Sequence, residues 1–261
     1  MEFKKPVFPT TLHKSVAEIV TDYFLNLDIS DTILIVNSCA HRHAVAESDL
    51  DIAILAKENV TDAEILDANS EWNVYSAAHP TIVKYKSSNR YRHLHLDIIN
   101  GIYNPSLIEP GEPIDFFEVE IGNQVCYSAP VNGSGKHFKK LQQEWLPYYN
   151  DQLRIERLKN IIDACCYDID HIPFYIKREL YFHALYTLHK AFEEYLQALF
   201  IANKTYPLAY NKWIKYQVVD LLKKPDLYPS LSPILSVKNI ESNEINYNAG
   251  ILSRLLNKLP G

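Results

Sequence analysis

The patterned part of the chain begins with LHKSVAEIVTDYFLNL (12–27), where Leu12, Val16, Ile19, Val20, Phe24 and Leu27 recur near a 3.6-residue spacing. Apolar positions at that period share one side of a helix, so an amphipathic helix is predicted there. Thr32-Ile33-Leu34-Ile35-Val36 is short, β-branched and apolar, which reads as a buried strand. After a polar stretch, residues 50–55 (LDIAIL) predict a second strand with carboxylates at its mouth. Residues 61–69 read as a short helix, and 72–85 (WNVYSAAHPTIVKY) and 91–99 (YRHLHLDII) as two more strands. In 91–99, Leu94, Leu96 and Ile98 alternate with His93, His95 and Asp97, the period of two of a half-buried strand. Residues 116–128 read as a helix turning into a last edge strand.

The stretch 129–137 (APVNGSGKH) gathers Gly, Pro and Ser and predicts a boundary. Beyond it the pattern is helical: 138–167 with Pro147 near its start, then 174–202, roughly 209–223, and 242–258. On the second of these, Leu185, Leu188, Phe192, Tyr195, Leu196 and Leu199 make one wide apolar stripe. The expectation is an α+β protein, a small mixed-sheet domain over 1–132 followed by an all-α helical bundle domain over 133–261.

Composition narrows the function classes. Hydrophobic residues at 47% and charged residues at 22% are those of an ordinary globular protein. The net charge of −6 lacks the basic surplus with which a duplex-DNA binder neutralises phosphates, so no duplex nucleic acid is expected as partner. The four cysteines form no CxxC pair, Cys165 and Cys166 are adjacent, and the ten histidines show no zinc spacing. They read as free thiols in a reducing cytosol. The N-terminus lacks the apolar run of a signal peptide, and no stretch approaches the ~20 residues that span a bilayer. A cytoplasmic protein without a membrane partner is expected.

The candidate chemistry lies in Val36-Asn37-Ser38, followed after ten residues by Asp49-Leu50-Asp51-Ile52. A strand alternates its side chains, so Asp49 and Asp51 emerge on one face. Two carboxylates ~4 Å apart repel by about 4 kcal/mol at an effective dielectric near 20, and a divalent cation removes that cost. Mg²⁺, which takes a few carboxylates plus water and phosphate oxygens, suits the pair. Asp97, on a strand expected in the same sheet, supplies a third carboxylate and the makings of a two-ion phosphoryl-transfer site. Ser38 is placed to open a short helix whose first amides suit a phosphate.

The run NSCAHRHAVAESDLDIAIL resembles the signature of the DNA polymerase β-type nucleotidyltransferase superfamily: Gly-Ser, about ten residues, then Asp-hydrophobic-Asp. The helical half is similar, more loosely, to the C-terminal domains of aminoglycoside and lincosamide nucleotidyltransferases. The resemblance implies that Asp49 and Asp51 ligate both metal ions, that Asp97 completes the site or acts as base, and that Ser38 touches the triphosphate. It implies transfer of a nucleoside monophosphate, AMP from ATP, to a hydroxyl of a small-molecule acceptor with release of pyrophosphate. An antibiotic-like cationic acceptor suits the acidic chain. Asn37 stands where the family has glycine, and asparagine tolerates left-handed backbone better than most residues. Arg42 is a further triphosphate contact. The related enzymes also bring a basic residue from the helical domain, which closes the cleft; Lys212, with Lys204 second, is the candidate here. His183 and Arg178 are candidates to face that cleft, and Glu118 and Glu120 read as surface acids rather than acceptor-binding groups. Arg178 and His183 also fit the R-x4-6-H pattern of HEPN ribonucleases. The alternatives are therefore a toxin–antitoxin-type protein-modifying nucleotidyltransferase fused to a HEPN-like domain, or a nucleotide-binding protein that has lost catalysis.

Overall fold

The computed structural model describes residues 5–260. The chain forms two compact units, one made of residues 1–103 and 120–146, the other of 104–119 and 147–261.

The first unit is built on a mixed four-stranded sheet. Helix α1 (Thr11–Leu25) precedes β1 (Ser30–Ile35), the short α2 (Asn37–His41) and β2 (Leu50–Ala56). Helices α3 (Asp62–Ala78) and α4 (Pro80–Ser87) then cross over to β3 (Leu94–Ile99). The strand order is β3-β2-β1-β4, where β4 is Ala129–Pro130, reached through α5 (Phe117–Ile121) and a π turn at Gly122–Cys126. β1 is antiparallel to β2 and β4, whereas β2 and β3 run parallel. Pro130, which has no N–H to give a ladder, sits on an edge strand as expected. One sheet face packs Ile33, Ile35, Leu50, Ile52 and Ile54 against Val16, Val20 and Phe24 of α1.

Residues 72–85 are helical on either side of His79, which corrects the strand read over this stretch. Thr61 and Glu64 form a capping box that starts α3, so the helix has a strong N-terminal signal. Trp72 and Tyr75, three apart on one helix face, pack their rings at 5.1 and 4.5 Å from Tyr23 of α1. Aromatic content mimicked strand propensity there. His79, extended before Pro80, ends α3, and the proline opens α4.

The Gly-rich stretch at 129–137 binds the following helix to the sheet. Asp31 of β1 accepts from the backbone amides of His137 and Phe138 at 3.1 and 3.0 Å and so caps α6 (Lys136–Trp145). A Cβ on Gly135 would lie 2.3 Å from the Asp31 carboxylate, so glycine is needed there. Residues 133–146 therefore belong with the first unit, downstream of the single break read at 132/133.

The second unit is helical. α7 (Asp151–Lys177) and α8 (Tyr181–Ala202) form its main pair, followed by α9 (Ile214–Tyr216), a π turn at Gln217–Leu221, α10 (Tyr228–Leu231) and α11 (Glu244–Leu256). The stretch read as one helix over 174–202 divides at Glu179, whose φ of +60° breaks the run. Of the expected stripe, Leu188, Phe192, Tyr195, Leu196 and Leu199 are buried and Leu185 packs beside them. Segment 104–119 is welded to this unit by charge. Arg157 of α7 donates from Nε to Glu118 at 2.6 Å and from Nη2 to Asp115 at 2.7 Å, and Tyr149 donates to Glu118 at 2.8 Å. Burial alone would raise the Asp115 carboxyl, but Arg157 holds it below its usual range. Glu118 is thus fully buried, not the surface acid its sequence context suggested. Among the described residues, no helix is long and apolar enough to cross a membrane.

Candidate active site

The pairing of β1 with β2 brings the two ends of the motif together. Val36 donates its N–H to the Asp51 carbonyl at 3.1 Å, continuing the ladder and setting the Asn37-Ser38 turn beside the start of β2. Asn37 has a φ of +52°, the left-handed conformation that glycine adopts most readily. Asparagine is among the few other residues that take it at modest cost, so the turn is made without the glycine. Ser38, half-buried, then lies in the first turn of α2. Its carbonyl accepts from His43 at 2.9 Å and Ala44 at 3.1 Å, and also from Arg42, which closes α2 in the left-handed region. Arg42 is exposed.

The carboxylates share one side of the sheet. Ile52 and Ile54 point into the α1 core, so Asp51 and Ala53 point to the opposite face, and Asp49 precedes them with the same parity. In the parallel ladder Asp51 pairs with His95 and Ala53 with Asp97, which puts His95 and Asp97 on that face too. Asp49 is held by the His93 amide, which donates to Oδ1 at 2.7 Å, while Oδ2 lies 3.7 Å from His95 Nε2. The Asp49 side chain is 37% exposed, and Asp97 is exposed. The field of the pair is felt below the sheet. Burial first, then the Asp51 charge, pushes the Cys39 thiol up to about 11, and burial followed by Cys39, Asp49 and Asp51 raises the Tyr85 phenol. Among the described residues, no three His, Cys, Asp or Glu side chains are gathered closely enough to enclose a metal ion. The donor set is nonetheless of the oxygen-rich, open kind that Mg²⁺ takes with phosphate and water completing its shell.

No family model matches this chain, and no curated protein is significantly similar to it. The functional reading therefore rests on geometry and residue chemistry.

Immediately beyond Asp97 a cavity of about 320 Å³ opens at the end of β3, lined by Ile99, Asn100, Tyr103, Asp62, Glu120 and Gln124. The exposed Glu120 thus borders a concave polar space. The remaining candidates lie in the second unit. Lys204 pairs with Asp151 at 2.7 Å and has a φ of +49°. Lys212 is exposed, and its carbonyl accepts from the buried Gln217 amide at 2.7 Å; it precedes α9 rather than opening a helix, because Trp213 is left-handed. His183 is exposed in the first turn of α8, its ring edge-on to Tyr175 at 4.3 Å, and Arg178, which ends α7, lies over the Phe174 ring at 5.1 Å.

The sequence reading missed His13 of α1. It is fully buried, with Nε2 2.9 Å from the Ser48 carbonyl and Nδ1 2.7 Å from the Thr10 hydroxyl. The available signal was its place on the apolar stripe with Val16, Val20 and Phe24, where a histidine needs polar partners.

Proposed function

We propose that the chain is a metal-dependent nucleotidyltransferase. The single observation that carries this reading is the common sheet face of Asp49, Asp51 and Asp97 beside a left-handed Asn37-Ser38 turn. Asp49 and Asp51 are the residues to hold Mg²⁺, which would neutralise the phosphates of a nucleoside triphosphate when bound. Ser38 is set to meet those phosphates. Asp97, exposed on the same face, is set to take the proton of an acceptor hydroxyl. The acceptor oxygen then bonds to the α-phosphorus as the bond to pyrophosphate breaks, and the proton resides on the Asp97 carboxylate. The polar cavity beyond Asp97, with Glu120 and Asp62 on its lining, suits a hydroxylated acceptor that carries positive charge.

A thermal-shift panel of the four nucleoside triphosphates with and without Mg²⁺ tests this. Mg²⁺-dependent stabilisation by at least one of them, absent in Asp49→Ala and Asp51→Ala, is the expected result. Equal stabilisation in the wild type and both variants would remove these carboxylates from the site.

A further inference from the structure

The carbonyl of Ser48 belongs to the peptide group whose nitrogen is that of Asp49, so its orientation governs the direction in which Asp49 leaves the chain. Two side chains from below the loop converge on it. His13 Nε2 lies 2.9 Å from that oxygen, and the Tyr85 hydroxyl of α4 donates to it at 3.2 Å. His13 has no exposure and Tyr85 none, and their rings meet edge-on at 5.0 Å. A carbonyl oxygen only accepts, so His13 carries its proton on Nε2. Nδ1 of the neutral ring then accepts from the Thr10 hydroxyl at 2.7 Å, while Thr10 Oγ1 accepts the His13 backbone amide at 3.3 Å as the cap of α1. The tautomer is fixed from both sides.

The other hydrogen bonds described for residues 43–49 fall on groups other than this carbonyl. Val45 N–H donates to Ser48 Oγ and Ser48 N–H to the Val45 carbonyl, both at 2.9 Å, which close the loop on itself. Arg92 Nε donates to the Ala46 carbonyl at 2.7 Å, two residues earlier. On the far side the His93 amide grips the Asp49 carboxylate. Only the His13 and Tyr85 bonds, among the hydrogen bonds described, act on the Ser48 carbonyl.

We propose that His13, together with Tyr85, is a positioning residue for Asp49: its Nε2–H clamps the Ser48 carbonyl and so aims the carboxylate at the metal–phosphate position. This rests on the nucleotidyltransferase reading. His13 touches neither metal nor nucleotide and acts wholly through the peptide it holds.

The test uses the full chain and a pair of variants that separate the two ring nitrogens. His13→Gln places an amide N–H near the Nε2 position and keeps the donor to Ser48, whereas His13→Asn reaches only the Nδ1 position and loses it. Both put a primary amide into the same buried site, so general destabilisation affects both. Hydrogen exchange of the 43–50 amides is measured without ligand, and affinity for a non-hydrolysable ATP analogue is measured with Mg²⁺. Faster exchange at 43–50 and about tenfold weaker affinity in His13→Asn, with His13→Gln within about threefold of wild type, is the expected result. Indistinguishable exchange and affinity in the two variants would overturn the proposal. Should both fail to fold, Tyr85→Phe, which deletes only the second donor, must loosen exchange in the same segment or the clamp is refuted. If the wild type binds no nucleotide the transferase reading falls, and unchanged exchange in His13→Asn would separately refute the clamp.

Discussion

Replacing His41 by phenylalanine is expected to flatten the acid dependence of stability. His41 ends α2, directly after the Ser38 turn, with its ring edge-on to Tyr127 at 5.7 Å. Burial, aided by the neighbouring His43, pushes its imidazole from 6.5 down to about 4. The folded protein therefore keeps His41 neutral over a range in which the unfolded chain takes up a proton. The stabilisation is fully present above pH 6.5 and is lost as pH falls from 6.5 toward 4. That gap is worth about 3 kcal/mol, at roughly 1.4 kcal/mol per unit. His13, also lowered by burial, contributes with the same sign but remains in the variant. Urea unfolding of both proteins at pH 7.5, 5.5 and 4.5 gives the comparison. The phenylalanine variant starts from a different absolute stability, so the readout is the difference in slope. Wild type should lose about 2.5 kcal/mol more than His41→Phe across that span. Parallel pH curves would refute the reasoning.

Two further outcomes follow from the charges. Arg157→Met leaves Glu118 buried without its cation, and should lower unfolding free energy by about 3–5 kcal/mol in urea; a loss under 1 kcal/mol would show the network to be energetically slack. Asp97→Asn should retain nucleotide binding in a titration yet lose turnover by ~10²-fold or more. Loss of binding as complete as in Asp49→Ala would make it a metal ligand instead.

What could be read in the sequence was local and periodic. The helix over 12–27 and the strands at 32–36, 50–55 and 91–99 all appear, because each buries one regular set of apolar positions in the α1–sheet core. The shared face of Asp49 and Asp51 was legible for the same reason, since alternation suffices to place it, whereas Asp97 joins that face through the parallel register of β2 and β3, which the sequence does not announce. Residues 72–85 were misread because Trp72 and Tyr75 favour strands by propensity, while the capping box at Thr61 and packing on Tyr23 decide for helix. Long-range polar pairing was not legible. Nothing near Glu118 in sequence announces Arg157, 39 positions on, and nothing near Ser48 announces His13 or Tyr85. Likewise, the stretch at 129–137 looks like a domain boundary until Asp31 is seen capping the helix that follows.

The central claim is that Asp49 and Asp51 together hold a divalent ion with a nucleoside triphosphate. Electron paramagnetic resonance of Mn²⁺, a substitute for Mg²⁺ with the same preference for oxygen ligands, reads this directly. Mn²⁺ is titrated into wild type, Asp49→Asn and Asp51→Asn with a non-hydrolysable ATP analogue present. Protein-bound Mn²⁺ in the wild type, abolished in both variants while their far-ultraviolet circular dichroism is unchanged, is the expected result. Equal Mn²⁺ binding in all three proteins would contradict it.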